Sequence, residues 1–147
     1  MTRRSMSRFW RPLLGVLVVA AIGIQFVPVD RSPLPDQERI PAPPAVLEIL
    51  ESSCFDCHST RNRWPWYGYV APFSWLIELH MNDARDHVNF STWNLYDEEE
   101  RNEIIEEVWD EVDLGHMPPD YYRLLHPEAA LNQSDRELLE AWALKAD

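Results

Sequence analysis

The sequence predicts an all-α protein. Apolar residues recur at helical spacing in about four segments, and no stretch alternates as a strand does. Only four of 147 residues are glycine, too few for a chain built on tight β-turns. Twelve prolines punctuate the segments, which implies several short helices joined by stiff connections. The length suits one globular domain rather than two.

The chain opens with Arg3, Arg4, Arg8 and Arg11 and no acid, then runs apolar over residues 13–29, broken only at Gln25 and Pro28. That run is near the lower limit of the roughly 17–25 residues a spanning helix needs. The arginines would stay cytoplasmic. Residues 1–29 are therefore expected to be an N-terminal transmembrane helix kept as an anchor, with a cleaved signal segment as the competing reading. Either would put the rest outside the cytoplasm. Residues 30–44 are rich in proline and charge and read as a semi-rigid spacer carrying a domain over 45–147.

Within that domain, Pro43 and Pro44 start a helix leading towards Cys54, with Val46, Leu47 and Leu50 on one face. A second helix is expected over residues 74–87, with Trp75, Leu76, Leu79 and His80 as its inner stripe. A third follows Asp97, whose capping box with Glu100 precedes Ile104, Ile105, Val108, Trp109 and Val112 at helical spacing; Gly115 stops it. The last is expected to start at Ser134, boxed by Glu137, with Leu138, Leu139 and Trp142 inward.

The formal charge is −12 although the first twelve residues are basic, so the remainder is strongly acidic. Such a surface repels phosphate backbones and argues against a nucleic-acid partner. It suits basic protein partners, or is simply a solvated face.

The only two cysteines lie in "SCFDCHST", as Cys54 and Cys57 with His58 directly behind. A disulfide between them would close a tiny loop and stabilise little. A thioredoxin-like dithiol lacks the preceding strand. A zinc site lacks a second Cys/His pair at finger spacing. Covalent haem uses every residue: both thiols add to porphyrin vinyl groups, and the adjacent imidazole reaches the iron. Cys54 and Cys57 are thus the expected thioether anchors of one haem c, and His58 its axial ligand.

For the other face of the iron, "LGHMPPDYY" offers Met117. Two following prolines keep it out of a helix and in a stiff loop, which suits a weak thioether ligand. The competing readings are Met117 as a gap-filler, ligation by His116, His126, His80 or His87, and an open site. Met81 is expected mid-helix near the surface and is the weaker methionine.

The motifs "CFDCHST", "RWPWYGYVAPFSWLI", "DARDHVNFSTW", "GHMPPDYY" and "LLHPEAAL" occur in the order that resembles the haem-binding domain family of bacterial membrane-anchored, cytochrome c-like mono-haem proteins. The resemblance covers nearly the whole chain. It implies a cytochrome c-like helical domain around one covalent haem, thioethers at Cys54 and Cys57, ligation by His58, and placement in the bacterial inner membrane with the domain in the periplasm. The Met-Pro-Pro segment fits a sixth ligand at Met117.

Trp64 and the aromatic block behind it follow the attachment motif and are assigned to the haem pocket, with ordinary packing as the alternative. Arg85, with Arg61 and Arg63, is a natural charge partner for the propionates. The resulting expectation is a membrane-attached electron carrier serving redox proteins with a basic docking patch. A haem-based sensor or peroxidase-like enzyme with an exchangeable sixth site is the second reading, and a haem-free structural or thiol-redox protein the third. No catalytic constellation stands out.

Overall fold

The computed structural model describes residues 3–31 and 40–145, with side chains from residue 10. It is all-α, in the order α1 (Arg3–Gly23), α2 (Pro44–Ser53), α3 (Phe55–His58), α4 (Phe73–His87), α5 (Glu98–Asp113), α6 (Asp120–Leu125) and α7 (Gln133–Ala143). Short 3-10 turns fill several of the connections. Most of the expected spacer, residues 32–39, lies outside the described residues. The chain divides into two compact units: residues 1–31 with 64–79, and residues 32–63 with 80–147. Helix α4 starts in the first and finishes in the second.

The first unit corrects the expected transmembrane helix. No described helix is long and apolar enough to cross a membrane. Helix α1 begins among the arginines and contains Pro12. Its apolar part, residues 13–23, is about 16 Å long at 1.5 Å per residue, against a hydrocarbon core of about 30 Å. Beyond Gly23 the chain tightens into a 3-10 turn over Ile24–Phe26. Gln25, within the run read as membrane-spanning, instead clasps Ala71: its Nε2 donates to the Ala71 carbonyl at 3.2 Å, and its Oε1 accepts from the Ala71 N–H at 3.0 Å. The single-pass inner-membrane location is overturned with the helix that carried it.

The same unit holds Trp64. The Arg31 guanidinium lies 5.1 Å from its ring centroid and 4.9 Å from that of Tyr69, and donates to the Gly68 carbonyl at 3.0 Å. Gly68 is buried; a Cβ there would sit 2.9 Å from Trp64 Cε3 and 3.3 Å from Ile77 Cδ1. Close approach of this backbone to the indole therefore requires glycine.

The second unit is built on Ile40, Val46, Ile49, Leu50, Phe55, Phe90, Trp93, Val112, Leu139 and Trp142. Helix α7 packs on α5 and α2, and α2 on α3. Pro44 opens α2, and Val46 and Leu50 are buried as its spacing predicts. The α5 capping box is present: Glu100 N–H donates to Asp97 Oδ1, and Asp97 N–H to Glu100 Oε2, both at 2.9 Å. Gly115 takes φ 77° just beyond the end of α5, where a left-handed residue terminates the turn.

Two helices differ from expectation. Helix α7 starts earlier, capped by Asn132 and boxed by Asp135 rather than by Ser134 and Glu137. Asparagine caps as well as serine, so the first competent residue in the chain takes the role. Leu138, expected inward, is 39 % exposed. In α4, Leu76 and Leu79 are exposed, whereas Ser74 and Met81 are buried and Ile77, Ala84 and Arg85 are half-buried. These residues share one face at spacings of three and four. The inward stripe mixes serine, methionine and arginine, so hydropathy alone selects the wrong side. Met81, expected near the surface, is 4 % exposed.

Candidate functional site

One turn of helix organises the cysteines. Cys54 caps α3, and its carbonyl accepts from Cys57 N–H at 3.2 Å and His58 N–H at 3.0 Å. Cys57 and His58 thus lie in one helical turn, with Cys54 at its N-cap beside Cys57. The two intervening residues pin the turn. Phe55 is buried at 3 % exposure, stacked on Phe90 with centroids 5.6 Å apart. Asp56 Oδ1 accepts from Arg63 N–H at 3.0 Å, and its Oδ2 accepts from the Tyr122 hydroxyl at 2.9 Å.

The cysteines are not disulfide-bonded. Burial, then the neighbouring thiol, pushes Cys54 up to about 12; burial and Asp56 push Cys57 up to about 11. Burial thus favours the neutral form of both sulfurs.

His58 is oriented by α4 and the residues behind it. Its Nδ1 lies 3.2 Å from the Val88 carbonyl, and its main-chain carbonyl accepts from Phe90 N–H at 2.8 Å. Burial holds its pKa below the ordinary value against the opposing pull of the Val88 and Ala84 carbonyls. A neutral imidazole that donates Nδ1–H to a carbonyl presents Nε2 as a lone-pair donor. Among the described residues no group of three or more His, Cys, Asp or Glu side chains is placed to hold a metal ion, so the site offers a single imidazole rather than a cage.

Arg85 is on the α4 stripe, beside Cys57. Burial lowers its pKa, Cys57 opposes that shift, and its Nε is buried without a hydrogen-bond partner. Tyr121 also feels Cys57, with burial raising its phenol, and its hydroxyl meets His80 Nδ1 at 3.5 Å.

Met117 lies in the α5–α6 connection, outside any helix, as its prolines require. Its N–H and that of His116 both donate to the Glu111 carbonyl, at 3.1 and 3.0 Å, while its side chain is 37 % exposed. Of the competing histidines, His116 contacts Glu111, His126 contacts Glu128 and His80 contacts Tyr121.

The structure thus brings Cys54, Cys57, His58 and Arg85 together; Met117 belongs to the same unit, and Trp64 to the other. Sequence reasoning missed Asp56, Tyr121, Tyr122 and Val88. The Val88 carbonyl has no sequence signal, being backbone. Asp56 had one: a carboxylate between two half-buried cysteines needs donors.

Residues 19–145 match a family model described as a haem-binding domain. No curated protein and no solved structure matches the chain.

Proposed function

Because the chain belongs to the haem-binding domain family, we propose that it is a mono-haem c-type cytochrome that carries single electrons between redox proteins. The observation that carries this reading is the placement of Cys57 and His58 in one helical turn with Cys54 as its N-cap, and His58 Nδ1 on the Val88 carbonyl. When bound, haem supplies a reversible one-electron couple at its iron. Cys54 and Cys57 hold it through thioethers, in which sulfur stays neutral as burial demands. His58 donates through Nε2, its ring kept in one orientation by Val88. Met117 would hold the iron as a second ligand, with the Glu111 carbonyl and two prolines limiting its freedom. Arg85 pairs with a propionate, which supplies the acceptor its buried Nε lacks. Ligation by histidine and methionine raises the reduction potential and closes the iron to small substrates.

The partners are a reduced donor protein and an oxidised acceptor protein, each with a basic docking patch. The exposed Glu99, Glu103, Glu106, Glu107 and Asp110 on α5 favour that sign. The test is an absorption spectrum of the purified protein, oxidised and reduced, with denaturing electrophoresis stained for haem. A c-type spectrum that stays with the denatured chain, and is lost from Cys54→Ala/Cys57→Ala, is expected. Colour that separates from the denatured wild-type chain would refute covalent attachment. A weak sulfur–iron band lost in Met117→Ala would establish the sixth ligand; its absence from wild type would favour an exchangeable sixth site.

A further inference from the structure

The Met117 segment is fixed at two points. Upstream, Met117 N–H donates to the Glu111 carbonyl at the end of α5. Downstream, α6 begins at Asp120, and Tyr122 donates its hydroxyl to Asp56 Oδ2 at 2.9 Å. Asp56 lies inside the cysteine turn, between the two proposed anchors. Its other oxygen is engaged by Arg63 N–H, so the carboxylate is held in place before Tyr122 reaches it. The Tyr122 ring is fixed too, stacked on His126 with centroids 4.3 Å apart.

We propose that the Asp56–Tyr122 hydrogen bond is a latch that fastens the Met117 segment to the cysteine turn and so governs access of outside ligands to the iron. Both are positioning residues, and the proposal rests on the haem reading above. The contact is a direct hydrogen bond between α6 and the cysteine turn. It joins the segment bearing one proposed ligand to the turn bearing the other. Displacing Met117 then requires breaking a hydrogen bond to a charged acceptor. The bond's other half, a carboxylate oxygen in a half-buried setting, would be left without its donor.

The test uses the ferric holoprotein, with imidazole as the outside ligand and stopped-flow absorbance as the readout. Tyr122→Phe keeps the ring and its stack on His126 and removes only the hydroxyl. Imidazole should bind about 10- to 100-fold faster than in wild type, the range expected for losing a hydrogen bond to a charged group. Asp56→Asn, which keeps one acceptor oxygen, should fall between the two. A Tyr122→Phe rate within twofold of wild type would overturn the latch. Amide hydrogen exchange separates this outcome from failure of the Met117 reading. If Met117→Ala leaves the wild-type spectrum unchanged, Met117 is not the ligand. In that case faster exchange over residues 118–125 in Tyr122→Phe, with α5 and α7 unchanged, supports the latch, and unchanged exchange there refutes it.

Discussion

Phe55→Ala would separate packing from chemistry at the cysteine turn, because it leaves Cys54, Cys57 and His58 intact. Phe55 is 3 % exposed and stacked on Phe90, which in turn lies 6.5 Å from Trp93. Burying such a side chain contributes about 1.5–3 kcal/mol. The cavity left by truncation brings the expected loss to about 3–5 kcal/mol. A small domain is stable by only about 5–15 kcal/mol in total. With a urea slope of about 2 kcal/mol/M, the midpoint should fall by roughly 2 M. Wild type and variant must carry the same haem content, since a group bound to the native state adds stability of its own. Phe55→Leu, which retains most of the volume, should lose less than about 1.5 kcal/mol. If Phe55→Ala lowers stability by under about 1 kcal/mol at unchanged slope, the turn is not held by its core contact and the reasoning fails.

Gly68→Ala should destabilise by about 1–3 kcal/mol, because the new Cβ meets Trp64 Cε3 at 2.9 Å; thermal unfolding with hydrogen exchange over residues 64–79 would show it. Asp97→Ala removes the side-chain cap of α5 and should lower stability by about 1 kcal/mol in chemical denaturation. The Glu128 carboxyl titrates below its ordinary 4.5, chiefly through hydrogen bonds from its own backbone and from His126. A depressed native pKa means stability that is present at neutral pH and lost as pH falls through the native midpoint. Carboxyl NMR should find that midpoint below 4.5, rising in His126→Ala. Electron exchange with a basic partner should slow as salt rises, since screening weakens steering by the acidic α5 face; stopped-flow rates against ionic strength would check it.

The motif spacing made the cysteine turn legible. The contiguous Cys-x-x-Cys-His pattern picks out Cys54, Cys57 and His58 together without tertiary information, although the helical turn over Phe55–His58 was not expected. Helix α5 was legible for a similar reason: its cap and apolar stripe are local. Helix α4 was not. Its buried face carries Ser74, Met81 and Arg85, and what turns that face inward is packing, which periodicity does not see. The anchor was misread because hydropathy scores a run without asking where the helix ends. Gln25 looks like a tolerated flaw in a membrane segment, whereas its amide makes a two-point clasp on Ala71. The latch partner Tyr122 is 66 positions from Asp56 and could not be paired from one sequence.

Residues 88–90 make three contacts in a row. The Val88 carbonyl faces the His58 ring, Phe90 N–H reaches the His58 carbonyl, and the Phe90 carbonyl accepts from Ile40 N–H at 3.1 Å. This short stretch therefore works as a gauge: it sets the direction of the imidazole and the height of the backbone bearing it by the same register. Inserting or deleting a single residue there would misdirect both at once, even with every side chain of the cysteine turn unchanged. That stretch must therefore conserve its length as well as the buried Phe90 ring.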